Sequence, residues 1–351
     1  MPSTPAEEIG LRIGKLQALA AENGLDAVLV IQSADLFYFT GTCQDAQLFV
    51  PASGSPTLFV RRDFDRAVEE TPLTNVIKTK KPGDVKDMVE SETGGRIGRI
   101  GLELDVLPVN MFFSYQRLFE GTEFLDASPL IRMIRMVKSP YELGLIRRAA
   151  QMNDAMFRKI PEILKEGMSE LEFAGLVEAE HRRNGHPGHV RTRAFNSEIH
   201  YGHIMSGEDL AVPSCSLGPT GGRGPGAHFP QGPGHRIIRG NEPVQIDHVA
   251  VFGGYIVDQA RTFRFGEPSP KYVAAHETAL RIQNTLAEQG RPGAVAGDLY
   301  DTALAIAEDA GLTTGFMGYP QPVPFVGHGV GLELDELPVI GRKSPTVLAE
   351  G

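Results

Sequence analysis

Two aspartates and a histidine carry the most chemistry that residue type and spacing suggest in this chain. Asp247 lies in Pro243-Val-Gln-Ile-Asp-His-Val-Ala-Val-Phe252, an apolar run that reads as a strand. Gly253-Gly254 follows, and then a second such run, Tyr255-Ile-Val-Asp-Gln-Ala-Arg-Thr-Phe-Arg264, which carries Asp258. A Gly-Gly pair between two strands signals a two-residue hairpin, because both turn positions need positive φ. The spacing predicts that Phe252 faces Tyr255 and Val249 faces Asp258, so Asp247 and Asp258 become diagonal neighbours on one face. Such neighbours sit ~7–8 Å apart at the backbone, close enough for their side chains to converge on shared ions. Carboxylates gathered on one strand face must be satisfied, and a metal ion is the usual means. His328, in Phe325-Val-Gly-His-Gly-Val-Gly-Leu332, adds an imidazole whose flanking glycines let other atoms approach closely. Taken singly, each feature also has a plain reading, as a satisfied core histidine or a solvated aspartate pair. The combination points to a metal centre.

Gln245–Phe263 and Gly327–Leu332 resemble the pita-bread metallohydrolases, the family of Xaa-Pro aminopeptidase, prolidase, methionine aminopeptidase and creatinase. The likeness extends to Lys138–Arg147, to Gly24-Leu-Asp-Ala-Val-Leu-Val30 and to Phe37-Tyr-Phe-Thr-Gly41, and so spans nearly the whole chain. It implies that Asp247, Asp258 and His328 are ligands of two divalent ions, Mn, Co or Zn, which acidify a water for attack on a peptide carbonyl. Carboxylate-rich ligation suits the harder ions such as Mn. The implied reaction is hydrolysis of the bond before proline in short peptides, and the implied assembly is a homodimer. His228, in Ala227-His-Phe229, stands 247 − 228 = 19 residues before Asp247, where the family has a histidine that lines the substrate pocket and polarises the carbonyl.

Three departures qualify the resemblance. The family supplies two further glutamate ligands after the Gly-His-Gly segment, and the chain stops at Leu348-Ala-Glu-Gly351, where that stretch would begin. Glu350 does not match, because it precedes the glycine. The expectation is a catalytic domain cut short of its last ligands, with its metal held weakly or absent. Seven residues after His328 the family carries a second histidine that contacts the substrate carbonyl; here the position is Asp335, which cannot donate a proton when ionised. The threonine common before the arginine of the second strand is Ala260, which removes a supporting hydroxyl. The departures keep two rivals open: a pita-bread enzyme acting on a non-peptide C–N or C–S substrate, and an inactive binding protein of the same fold.

Other histidines carry weaker signals. Ser216–Gly226 is a long Gly/Pro stretch that reads as a specificity loop over the cleft, with a flexible surface loop as the plain alternative. His186, His189, His200 and His203 read as pocket-wall or surface residues, with His200 and His203 assigned to the substrate pocket. His248 alternates to the strand face opposite Asp247 and is expected to pack away from the metals.

Composition narrows the class. A net charge of −10 argues against nucleic acid or an anionic membrane as partner. Two cysteines exclude a disulfide scaffold and fit a reducing compartment. The start of the chain lacks a signal-peptide pattern and no apolar run is long enough to span a membrane, so a cytoplasmic location is expected.

The positioning elements follow from periodicity and caps. A helix is predicted over 6–22, with strands over 26–31, 47–50, 57–60 and 97–103 and a helix over 62–70 among them, an alternating pattern that predicts an α/β unit. Ser139, Pro140 and Glu142 form a capping box that opens a second domain, and Ser169 with Glu172 forms another. Helices are predicted over 272–289 and 296–310. The expected class is α+β: a creatinase-like α/β N-terminal domain over 1–136, then a pita-bread α+β catalytic domain over 137–351.

Overall fold

The computed structural model describes residues 4–351; Met1, Pro2 and Ser3 of the expected N-terminal domain lie outside the described residues. The chain forms two compact units, Met1–Met136 and Val137–Gly351.

The first unit runs α1 (Ala6–Glu22), β1 (Ala27–Val30), α2 (Ser33–Thr40), β2 (Ala46–Pro51), β3 (Thr57–Val60), α3 (Phe64–Glu70), β4 (Val76–Lys78), α4 (Pro82–Thr93), β5 (Arg99–Leu102), α5 (Val109–Leu118), β6 (Glu123–Asp126) and α6 (Ser128–Met136). Its six strands form one sheet in the order β4-β3-β2-β1-β5-β6. Only β2 is antiparallel to its neighbours. β1 (Ala-Val-Leu-Val) and β3 (Thr-Leu-Phe-Val) are buried at every residue, as apolar runs in a sheet covered on both faces should be. Leu29, Phe49, Phe59 and Ile100 pack against Val85 and Val89 of α4 and Tyr115 of α5.

The second unit runs α7 (Pro140–Ile163), α8 (Glu170–Arg183), β7 (Gly202–Ser206), β8 (Pro243–Phe252), β9 (Tyr255–Arg264), α9 (Pro270–Gln289), α10 (Ala296–Asp309), β10 (Phe325–Gly329) and β11 (Glu336–Gly341). The Ser139 hydroxyl accepts from Glu142 N–H while the Glu142 carboxylate accepts from Ser139 N–H, so α7 starts at the predicted box. β7, β8 and β9 form an antiparallel sheet, and β10 pairs with β11 in a separate ribbon with irregular register at His328. Val244 and Ile246 of β8 and Ile204 of β7 bury against Phe157 and Ile160 of α7 and Phe173 and Val177 of α8. Strand alternation then turns Asp247, Val249 and Val251 to the opposite face. There Val249, Val251 and Ile256 pack with Val190 and Leu334. Two backbone bonds tie the ribbon end to this region, Ile256 N–H to Gly331 O at 2.7 Å and Leu334 N–H to Arg191 O at 2.9 Å. Among the described residues no helix is long and apolar enough to cross a membrane.

Candidate metal centre and cleft

The β8–β9 hairpin has the predicted register. Phe252 pairs with Tyr255, Val249 with Asp258 and Asp247 with Ala260. Gly253 and Gly254 sit at φ 59° and 87°, the left-handed pair that a tight hairpin turn demands. The two carboxylates therefore share a face, and the nearness of Asp247 helps raise the Asp258 carboxyl.

His328 comes to the same place from β10. Its Nδ1 lies 3.0 Å from the Gly329 carbonyl, and a carbonyl can only accept, so Nδ1 carries the proton. Nε2 stands 3.8 Å from Asp258 Oδ2 and 3.7 Å from Asp335 Oδ1. An imidazole nitrogen facing two carboxylates is relieved by a proton or by a cation among them. Burial and the neighbouring Asp247 and Asp335 push the Asp258 carboxyl well above its usual range, the mark of acids gathered without a counter-charge.

His203 completes this face from β7, directly across from Asp247. Gln231 hydrogen-bonds the ring, and burial lowers its pKa against the opposing pull of Asp247. Its Nε2 is buried without a partner. Gln231 is itself held by donating Nε2–H to the Glu198 carbonyl at 2.6 Å.

Asp247, Asp258, His328, Asp335 and His203 all line one cavity of about 210 Å³. Its walls are two loops, 194–199 and 215–220. The expected specificity loop thus enters the cleft through Ser216–Thr220. Phe195 and Leu217, 92% and 83% exposed, stand one on each of these loops. The acids of the lining are Glu198, Asp247, Asp258 and Asp335, and no lysine or arginine is among the described lining residues.

Two histidines assigned to the pocket from the sequence fall elsewhere. His228 is exposed and outside the cavity lining, in a turn closed by the Gly226–Phe229 bridge. His200 is exposed, outside the lining too, and stacks on Phe229 at 5.8 Å. The stretch after Thr220 carries the chain away from the carboxylates before His228, whereas β7 pairing places His203 opposite Asp247. His186, read as wall or surface, is instead only 2% exposed and packed on His181 and Tyr201. Gln231 and Phe325 were not anticipated as lining residues; for Gln231 the Pro-Gln-Gly-Pro bracket of 230–233 was the one available signal.

Two carboxylates and an imidazole with Nε2 turned inward are the donor types that divalent cations take. The buried free Nε2 of His203 is a further unsatisfied donor or acceptor at the same place. Among the described residues, however, no group of three or more His, Cys, Asp or Glu is arranged to hold an ion as the side chains stand. The residues fit a cation in kind and converge on it without closing around it.

The model of metallopeptidase family M24 matches residues 144–351, and that of the creatinase/prolidase N-terminal domain matches residues 12–137. The Xaa-Pro dipeptidase of Pyrococcus furiosus is 28% identical over 343 residues, covering 97% of this chain and 87% of the relative. The Xaa-Pro dipeptidase of Lactobacillus delbrueckii is 26% identical over 351 residues, again covering 97% and 87%. In three dimensions the prolidase of Pyrococcus horikoshii superposes with a TM-score of 0.78 at 25% identity, over 97% of this chain and 88% of that one. The first unit is accordingly a creatinase-type N-terminal domain and the second a pita-bread domain.

Proposed function

The chain belongs to metallopeptidase family M24, and from that premise we propose that it is a hydrolase of the Xaa-Pro dipeptidase type, cleaving the bond before proline in short peptides. The observation that carries this reading is His328 Nε2 turned toward the Asp258 and Asp335 carboxylates. Asp247, Asp258 and His328 would hold the cation or cations. Divalent ions bound there would supply Lewis acidity toward a carbonyl oxygen and toward water.

The chain's own groups do the rest. The neutral His203, its ring donating to Gln231, presents an Nε2 lone pair that accepts from a substrate N–H, and it cannot take the carbonyl-polarising role the sequence suggested for His228. Asp335, 58% exposed at its side chain, accepts an N–H-bearing or cationic group of the substrate. The loops 194–199 and 215–220 exclude water from one side and offer Phe195 and Leu217 to an apolar side chain. Relatives that carry the name Xaa-Pro dipeptidase support the substrate class.

One observation favours a second reading. A free dipeptide brings a carboxylate beside its proline, and the described lining offers four acids and no lysine or arginine to receive it. A cationic or carboxylate-free substrate with a C–N or C–S bond suits that lining better. The deciding assay compares Xaa-Pro dipeptides with the same peptides amidated at the C-terminus, with Mn²⁺ or Co²⁺ present, for wild type and Asp247→Ala. Turnover of the free dipeptides that Asp247→Ala abolishes supports the dipeptidase. Metal-dependent turnover of the amides alone supports the second reading, and no turnover of either at full metal occupancy refutes peptide hydrolysis.

A further inference from the structure

Behind β8 lies a buried ring cluster that the proposed chemistry does not use. We propose that His186 is a positioning residue for the Asp247–Asp258 pair: by donating Nε2–H to the Val249 carbonyl it replaces the strand partner that β7 ceases to supply. The inference rests on the metallohydrolase reading of that pair.

β7 pairs with β8 from Ser206–Val244 to Gly202–His248 and then ends. One more ladder bond forms beyond it, Val249 N–H to Tyr201 O at 2.7 Å. In an antiparallel narrow pair the Val249 carbonyl would take its bond from the same opposing residue. It meets instead the His186 ring, with Nε2 3.1 Å away. Gly188 N–H donates to His186 Nδ1 at 2.8 Å, so Nδ1 is the acceptor and the proton resides on Nε2. The tautomer is therefore set by the fold, and a buried carbonyl that would otherwise be orphaned is satisfied.

The carbonyl before it, on the β9 side of the strand, takes an added side-chain bond. Asn153 of α7 donates Nδ2–H to His248 O at 2.8 Å, from a fully buried position. Two side chains thus fasten the 248–249 and 249–250 peptide units, just beyond Asp247. Val249 faces Asp258 across the hairpin, so slack at Val249 alters the separation of the two carboxylates. The rings around His186 leave little room for slack: Tyr201 lies 4.6 Å and His181 5.2 Å away, centroid to centroid, with His248 stacked on His181 at 5.3 Å. Burial lowers the His186 pKa to about 4, which keeps the ring neutral at physiological pH.

Three measurements on the 351-residue chain test this. Long-range ¹⁵N–¹H NMR of the histidine rings should show His186 protonated at Nε2; protonation at Nδ1 would overturn the proposal. His186→Phe fills the space without a donor, and His186→Gln keeps an N–H donor. His186→Phe should raise the Mn²⁺ dissociation constant, read by electron paramagnetic resonance, at least tenfold. It should lower kcat on Xaa-Pro dipeptides by a similar factor with little change in KM, and His186→Gln should recover most of both. Equal losses in the two variants would mean that the ring serves packing alone, and an unchanged Mn²⁺ constant in His186→Phe would also overturn the proposal. If wild type turns over no Xaa-Pro dipeptide yet binds Mn²⁺, the substrate reading fails and the Mn²⁺ constants still decide the role of His186. If wild type binds no Mn²⁺ at all, the positioning role falls with the metal centre.

Discussion

Asp258 stands between opposing demands. Its carboxyl is pushed well above the usual range by burial and by Asp247 and Asp335, so the protonated form is the comfortable one in the metal-free chain. An acid whose folded pKa is raised loses stability as pH rises from its unfolded value through its folded value, so at neutral pH the ionised group strains the fold. Asp258→Asn should therefore stabilise the metal-free chain by roughly 1 kcal/mol, the scale of one pKa unit, in urea unfolding with a chelator present, while weakening Mn²⁺ binding. Destabilisation of the metal-free chain would show that the repulsion is already relieved. Asp335 makes a different demand, because a carboxylate there repels a developing oxyanion and attracts a cation. Asp335→Asn is expected to leave unchanged or raise kcat/KM on neutral Xaa-Pro dipeptides, and to lower it on substrates with a positive charge near the scissile bond. Equal losses on both would place Asp335 in the chemistry itself.

β7 and β8 approach each other so closely that only glycine fits at position 202. Gly202 has φ 141°, and a Cβ there would stand 2.0 Å from the Asp247 carbonyl oxygen. Gly202→Ala should cost about 3 kcal/mol or more, since the opposing atom is backbone and the conformation is itself strained. Gly144 in α7 is the contrasting control, because a methyl group added there would meet nothing within 4 Å in an ordinary helical environment. Gly144→Ala should add about 0.5–1 kcal/mol. Chemical denaturation of both variants checks the pair, and a Gly202→Ala chain as stable as wild type would contradict the packing described. The hairpin was legible because alternation and the Gly-Gly turn are local signals. β10 was not, because Phe-Val-Gly-His-Gly holds two glycines and becomes a strand only through β11. Short β7 was also missed, and with it the position of His203 opposite Asp247. His186 read as wall or surface because Pro187 breaks helical spacing, while the rings packed on it come from α8 and Tyr201. Sequence spacing placed His228 by analogy, and the Gly/Pro stretch before it changed the path of the chain.

At the scale of the molecule, buried neutral histidines set the response to acid. Burial lowers His181 to about 3 and His186 to about 4, each from an ordinary value near 6.5. The unfolded chain binds more protons than the folded one between those limits, so stability falls as pH drops from ~6.5 and levels off below the folded values. The slope is about 1.4 kcal/mol per pH unit for each such group. Asp258 and Glu103, both raised by burial, act in the opposite direction, so the difference between wild type and a variant isolates the histidine contribution. His181→Phe should flatten the loss of stability between pH 6.5 and pH 4.5, measured by urea unfolding at fixed salt, and an unchanged slope would contradict the neutral cluster. The central claim is that Asp247, Asp258 and His328 form a cation-dependent hydrolytic centre, and the Mn²⁺ dependence of Xaa-Pro dipeptide hydrolysis tests it most directly. The account predicts no rate after exhaustive chelation, recovery that follows bound Mn²⁺, and no recovery in His328→Ala. A rate that survives chelation, or one that His328→Ala leaves intact, would contradict it.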